Sequence, residues 1–414
     1  MGKSWFRSFG MAAAFVFAAG AAHATGALFS PLEVSPAYGK ALNSDLSYRA
    51  LADSPSTAAL QIVRANAATV NEAAARVDLN LGAGLDLKVR RVEAYRSPSG
   101  GLVWTGVIED AFSGFSPDQV RFDPLNTVTL VRDGEMITGN IHYQGEWYKI
   151  RPLKSGGHAL VQVDQKAMPP DHPAEYADLP VISAPVRRPA NTKANTVIRV
   201  MAHYTPAAAA AAGNISSLID LAVAESNQGY TNSGVTITLQ LATKAQVTYT
   251  ESGNFSTDLS RYRGTADGYM DSIHTTRNSV TADVGVLLIN NASACGLASG
   301  IGSTASTAFA AVYWDCATGY YSFAHEIGHL QSARHDPAND PTTTPYAWGH
   351  GYQYTASTPK WRTIMAYDCS GGCPRLNYWS NPNNLYNGHP MGTTTKNHNA
   401  RVLNDTRATV AAFR

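Results

Sequence analysis

Eleven residues, His325-Glu-Ile-Gly-His-Leu-Gln-Ser-Ala-Arg-His335, constrain this chain more tightly than any other stretch. Residues four apart on a helix share a face, so His325 and His329 can converge on one ion. With about 3.6 residues per turn, a straight helix would carry His335 away from that face. The chain must therefore leave the helix near Ser332 if His335 is to join them. Neutral imidazoles are good zinc ligands, and three of them leave a fourth position open, as catalytic zinc requires. Glu326, one step round the helix, can reach a water at that position without ligating the ion, which suits a general base. A purely structural metal site needs no such base.

The sequence around this motif alternates strand and helix. Strands are expected at 197–204, 235–242, 284–289 and 309–314, and helices at 207–228, 257–277, 320–332 and 397–413. The run 284–289 is continuously apolar, as for a strand buried on both faces. The fold class expected is α+β, with helices packed on a twisted mixed sheet.

The N-terminal part has a different texture. Lys3 and Arg7, then the apolar run 11–22 and Ala22-His-Ala24, form a signal-peptide pattern, too short to span a bilayer. Export is therefore expected, with residues 1–24 removed. Residues 25–194 are read as a β-rich pro-region: an Ala-rich helix over 57–75, then short strands between 87 and 163 separated by Gly- and Pro-containing turns. A Pro-rich, partly basic stretch before residue 194 is a natural linker and an accessible place for proteolytic nicking. The domain expected to carry the chemistry is 195–414.

Four cysteines, all in the C-terminal half, suit disulfides in an exported chain. The short Cys369–Cys373 spacing favours a local bridge, which leaves Cys295 with Cys316; a structural zinc site built from the four is the alternative. Net charge is +1, which offers no footprint for nucleic acid or an anionic membrane. Polypeptide substrates, no nucleic acid, no membrane after signal removal and a monomeric chain are the expectations. Calcium stays open, because acidic loops exist but none has the spacing of a recognised site.

His325 to His335 resembles the metzincin motif, which carries His325, His329 and His335 over as zinc ligands and Glu326 as general base. It departs at Ser332, where the family has a glycine that permits the turn toward the third ligand. Thr363-Ile-Met-Ala-Tyr367 resembles the metzincin Met-turn, so Met365 would lie beneath the histidines. Tyr367 takes the place of a tyrosine that in some members approaches the metal or steadies the oxyanion. The region from residue 197 onward resembles reprolysin-like bacterial metallopeptidases. Residues 322–331, 361–369 and 373–382 look most like the peptidyl-Asp metallopeptidase (endoproteinase Asp-N-like) family. The resemblance implies a secreted zinc endopeptidase cutting on the amino side of aspartate.

A pocket for an aspartate side chain needs a buried cation, preferably a guanidinium. Arg375 is the leading candidate, with Arg362 and Lys360 nearby. Residues 295–300, small and Gly-rich, are placed to form a rim along which substrate lies as an added strand. A cysteine cannot cap the zinc from the pro-region; His158, Asp164, Asp171 and His172 are the alternatives. The competing functions are a broad-specificity secreted metalloprotease, a cell-wall peptidase, and a non-catalytic zinc-binding protein, the last disfavoured by Glu326.

Overall fold

Two sheets of opposite character divide the chain. A computed structural model describes residues 26–82, 84–109, 123–182 and 194–414. The signal-peptide pattern and residues 183–193, the end of the Pro-rich stretch, lie outside these residues; the earlier part of that stretch is no free linker, since Pro170, Asp171 and Val181 are bonded to the C-terminal half. Near the N-terminus come β1 (Phe29–Pro31), α1 (Pro36–Ser44), α2 (Leu46–Ala52), β2 (Thr57–Ala65) and β3 (Arg76–Asn80). They are followed by β4 (Asp86–Arg96), β5 (Leu102–Ile108), β6 (Asn126–Asp133), β7 (Met136–Tyr143), β8 (Glu146–Pro152) and β9 (His158–Val163). These strands form one sheet in the order β1-β2-β9-β8-β7-β6-β5-β4-β3. Every pairing in it is antiparallel.

The Ala-rich helix expected over 57–75 is absent. Thr57–Ala65 is a strand, and Ala67–Thr69 is a short 3-10 turn. The strand holds the β-branched residues Thr57, Ile62 and Val63 and pairs with β9 on one side and β1 on the other. That pairing outweighs the high helix propensity of its alanines.

The C-terminal half follows the expected alternation: β10 (Thr196–Tyr204), α3 (Pro206–Ala211), α4 (Ile215–Asn232), β11 (Ile237–Gln246), α5 (Phe255–Arg263), α6 (Ile273–Ser279) and β12 (Val284–Ile289). Then come β13 (Gly296–Ala298), β14 (Phe309–Tyr313), α7 (Ser322–Leu330) and, after two small hairpins, α8 (Asn399–Val410). The sheet order is β11-β10-β12-β14-β13, parallel except for the antiparallel edge strand β13. Two long helices expected from sequence are each broken. Gly213 (φ +72°) ends the first segment of one, and Gly264 caps the first segment of the other.

The halves share a core. α4 packs on β11 with one face and on β5, β6 and β7 with another. Leu221 and Ala224 meet Val103 and Val131 of the N-terminal sheet, while Leu218, Ile219 and Ala222 join the main core. Covered on both sides, α4 also buries the polar residues Ser217, Asp220, Glu225 and Ser226. Polar contacts fix the seating. Lys149 Nζ lies 2.7 Å from Asp315 Oδ2, both buried. Glu225 accepts from Asn140 Nδ2 at 2.6 Å and from the Gly319 amide at 2.7 Å. These bonds fix the strand-to-helix loop that feeds α7. Among the described residues, no helix is long and apolar enough to cross a membrane.

Candidate active site

The helix α7 carries His325, Glu326 and His329, all buried. It stops at the point where the third histidine needs it to. The Ser332 amide donates to His329 O at 2.8 Å and the Ala333 amide to Gly328 O at 2.9 Å. This bond pair is a Schellman cap, and its left-handed residue is Ser332 (φ +75°). Serine adopts the conformation that glycine usually supplies, at a cost of about 1–2 kcal/mol. Beyond the cap the chain doubles back and His335 swings in over the other two. The His335 carbonyl accepts from His350 Nδ1 at 2.7 Å.

The Nε2 atoms of His325, His329 and His335 lie 3.1 Å from one another. A fourth imidazole completes the group. His172 Nε2 is 3.0, 3.2 and 2.9 Å from those of His325, His329 and His335. A regular tetrahedron with bonds of about 2.0–2.1 Å has edges of about 3.3 Å, close to this set. The tautomers can be deduced. His325 Nδ1 donates to Ile364 O, His329 Nδ1 to Ala333 O and His172 Nδ1 to Gly296 O, each at 2.9 Å. Each donation leaves a bare Nε2 lone pair facing inward. Burial drives the pKa of His325, His329 and His335 well below the ordinary value, with mutual repulsion adding to it, and that of His172 down to about 4. Converging lone pairs on neutral, buried rings repel one another unless a cation lies between them. The donor set therefore fits a metal ion.

Glu326 lies beside this cluster, with neither carboxylate oxygen in hydrogen-bond geometry with a partner. Burial, reinforced by the negative charge of Asp171, pushes its pKa well above the usual carboxylate range. A Cβ on Gly296 would stand 2.3 Å from Glu326 Oε1, so only glycine lets the rim approach this closely. Met365 is fully buried beneath α7, its Sδ 3.2 Å from where a Cβ on Gly328 would lie. The ring of Tyr367 stands 4.4 Å from that of His335, and its amide donates to Asp336 Oδ2 at 3.0 Å. Burial raises its hydroxyl pKa above the ordinary value.

Two buried arginines form a second cluster. Arg375 Nη2 lies 2.6 Å from Asp171 Oδ2, and Arg362 Nη1 lies 3.8 Å from the same oxygen. Tyr320, just ahead of α7, stacks under both guanidiniums, 4.2 Å from Arg375 and 5.3 Å from Arg362. Carbonyl oxygens of Tyr320 and Ala366 accept from Arg375, and Ala366 O also accepts from Arg362. Burial alone would raise the Asp171 pKa, but the two guanidiniums outweigh it and hold the carboxyl low.

Most of the residues singled out from sequence meet here. Lys360 does not, since it points to Ser370 O at the surface. Among the four candidates for capping, His158 accepts from the Ile137 amide and Asp164 caps a 3-10 turn. Asp171 and His172 are the two that reach the cluster. Sequence reasoning missed Tyr320, which carries no motif signal. The cysteines pair as Cys295–Cys316 and Cys369–Cys373.

Comparison with known proteins agrees with this geometry. Residues 194–380 match the Reprolysin_5 model, metallo-peptidase family M12. A peptidyl-Asp metalloendopeptidase of Stenotrophomonas maltophilia strain R551-3 is 55% identical over 96% of this chain and 95% of its own length. One from strain K279a is 54% identical over the same shares. Metalloproteinase-II from Bacteroides fragilis is 14% identical at a TM-score of 0.39, covering 63% of this chain and 81% of its own. The chain belongs to the peptidyl-Asp metalloendopeptidase family of M12 reprolysin-like peptidases and is a zinc metalloendopeptidase.

Proposed function

We propose that this chain is exported, matures by loss of residues 1–194, and cuts polypeptides on the amino side of aspartate. His325, His329 and His335 hold one zinc ion, and residues 195–414 form a metzincin-type catalytic domain with Met365 in its Met-turn. The observation that carries this reading is the meeting of three inward Nε2 atoms with a buried carboxylate that has no hydrogen-bond partner.

A zinc ion held there would supply Lewis acidity to a water and to the scissile carbonyl. Glu326 accepts the water's proton and returns it to the leaving amine. Tyr367, whose ring stands against that of His335, would donate to the oxygen that gains charge as the carbonyl is attacked. In the full-length chain the outer side of the β13 rim is bonded to the segment around Asp171, the Cys295 and Gly296 amides donating to Pro170 O and Asp171 O; once that segment leaves, substrate adds there as a further strand. Arg375, assisted by Arg362, receives the aspartate carboxylate after the cleaved bond. A buried guanidinium pair held by carbonyls and a tyrosine face is pre-organised for that anion. Extracellular location accords with the two disulfides.

Glu326→Gln tests the role of the base. The variant should bind zinc stoichiometrically yet lose at least about a thousandfold in kcat, on the scale of losing a general base and its electrostatic contribution together. Zinc bound with near-normal turnover would remove Glu326 from the mechanism.

A further inference from the structure

The segment that crosses the cleft has the wrong polarity to be a substrate. Pro170 O accepts from the Cys295 amide at 2.8 Å and Asp171 O from the Gly296 amide at 3.1 Å. Further along, Val181 pairs with Ile301 in the same parallel sense. The segment therefore runs in step with the rim, with Asp171 against Arg375 and the following residue, His172, against the histidine cluster. In a substrate cut before aspartate, the residue preceding the aspartate presents its carbonyl at the metal. Here the residue following it occupies that place.

We propose that Asp171-His172 is an internal, reversed substrate mimic that keeps the full-length protein latent, His172 serving as fourth metal ligand while Asp171 fills the arginine pocket. This rests on the arginine pair being the aspartate pocket. The reversed polarity explains how the segment can fill both subsites without being cut, because the carbonyls of Pro170 and Asp171 are turned to the rim amides. Its grip has several parts. His172 Nδ1 donates to Gly296 O, and the Gly296 amide donates back to Asp171 O. Tyr176 stacks on His172 at 4.5 Å and its hydroxyl donates to Asp340 at 3.1 Å. Pro170 and Pro173, on either side of the pair, restrict the backbone and lower the entropy lost on docking. Cutting the chain near residue 194 would turn an intramolecular contact into one that dilution can break.

The test uses the full-length chain loaded with cobalt in place of zinc. In the wild type, four nitrogen ligands should give a visible spectrum unaffected by added azide. His172→Ala should shift that spectrum, make it respond to azide, and lose metal to a chelator about tenfold faster or more, since even removal of an outer partner of a metal ligand costs about that much. Its uncleaved form should turn over a short aspartate peptide that the wild type ignores. Asp171→Asn in the full-length chain should keep the wild-type spectrum but raise turnover of that peptide above the wild type's. A spectrum unchanged by His172→Ala, in a sample that melts normally, would overturn the proposal. Should that variant not fold, His172→Gln under the same azide test decides instead. Failure of the aspartate reading would appear separately, as a His172→Ala chain that turns over Asp and Asn peptides alike while its azide response holds; turnover untouched by Asp171→Asn would overturn the pocket half of the mimic.

Discussion

Replacing Arg375 by methionine keeps much of the side chain's reach and removes its charge. In the structure Arg375 is 3% exposed and lies 2.6 Å from a carboxylate oxygen. Truncating one partner of a buried, hydrogen-bonded charge pair costs about 2–5 kcal/mol. Arg362 remains, 3.8 Å from the same oxygen, so the lower part of that range applies. A loss of about 2–3 kcal/mol corresponds to a fall of about 30- to 150-fold in kcat/KM. The assay is a pair of fluorogenic peptides differing only in Asp against Asn after the cleaved bond. The Asp peptide should suffer the whole loss and the Asn peptide almost none, so that the ratio of the two collapses. Zinc content and melting temperature report on whether the site survives. A ratio unchanged within about threefold, in a folded and loaded variant, would refute the assignment of Arg375, because a discrimination of kcal/mol size has to show in that ratio.

Two further outcomes follow from the geometry. Ser332→Gly relieves a left-handed serine and should raise stability by about 1 kcal/mol, seen as a higher Tm; a lower Tm would mean that the serine hydroxyl contributes more than the strain costs. Burial, opposed by bonds from Asn140 and Gly319, raises the Glu225 pKa to about 7. A carboxyl whose folded pKa lies above its unfolded one holds its proton longer in the folded state, so stability falls as pH climbs from about 4.5 to about 7 and levels off beyond. Glu225→Gln should therefore raise the Tm of the full-length chain at pH 8 and change it much less at pH 4.5, whereas an equal effect at both would argue against ionisation as the cause.

Much of the site was legible because its parts are local. His325, Glu326 and His329 depend only on helical periodicity, and the need for a break near residue 332 follows from the same geometry. The strands 284–289 and 309–314 were readable from unbroken apolar runs. What escaped were features that depend on distant partners. Residues 57–65 contain enough alanine to suggest a helix, and only the hydrogen bonds to β1 and β9 make them a strand. Tyr320 has no motif, and its role appears only when two arginines about forty and fifty residues later stack upon it. His172 is one candidate among four for the same reason: nothing near it in sequence tells which N-terminal side chain will be carried across the cleft.

The most direct test of the central reading is digestion of a denatured protein by the purified mature form, with mass spectrometry of the fragments, with and without a zinc chelator. Cuts that cluster before aspartate and vanish with the chelator are predicted. Cuts that persist in chelator, or that show no preference for aspartate, would contradict the zinc mechanism in the first case and the arginine pocket in the second.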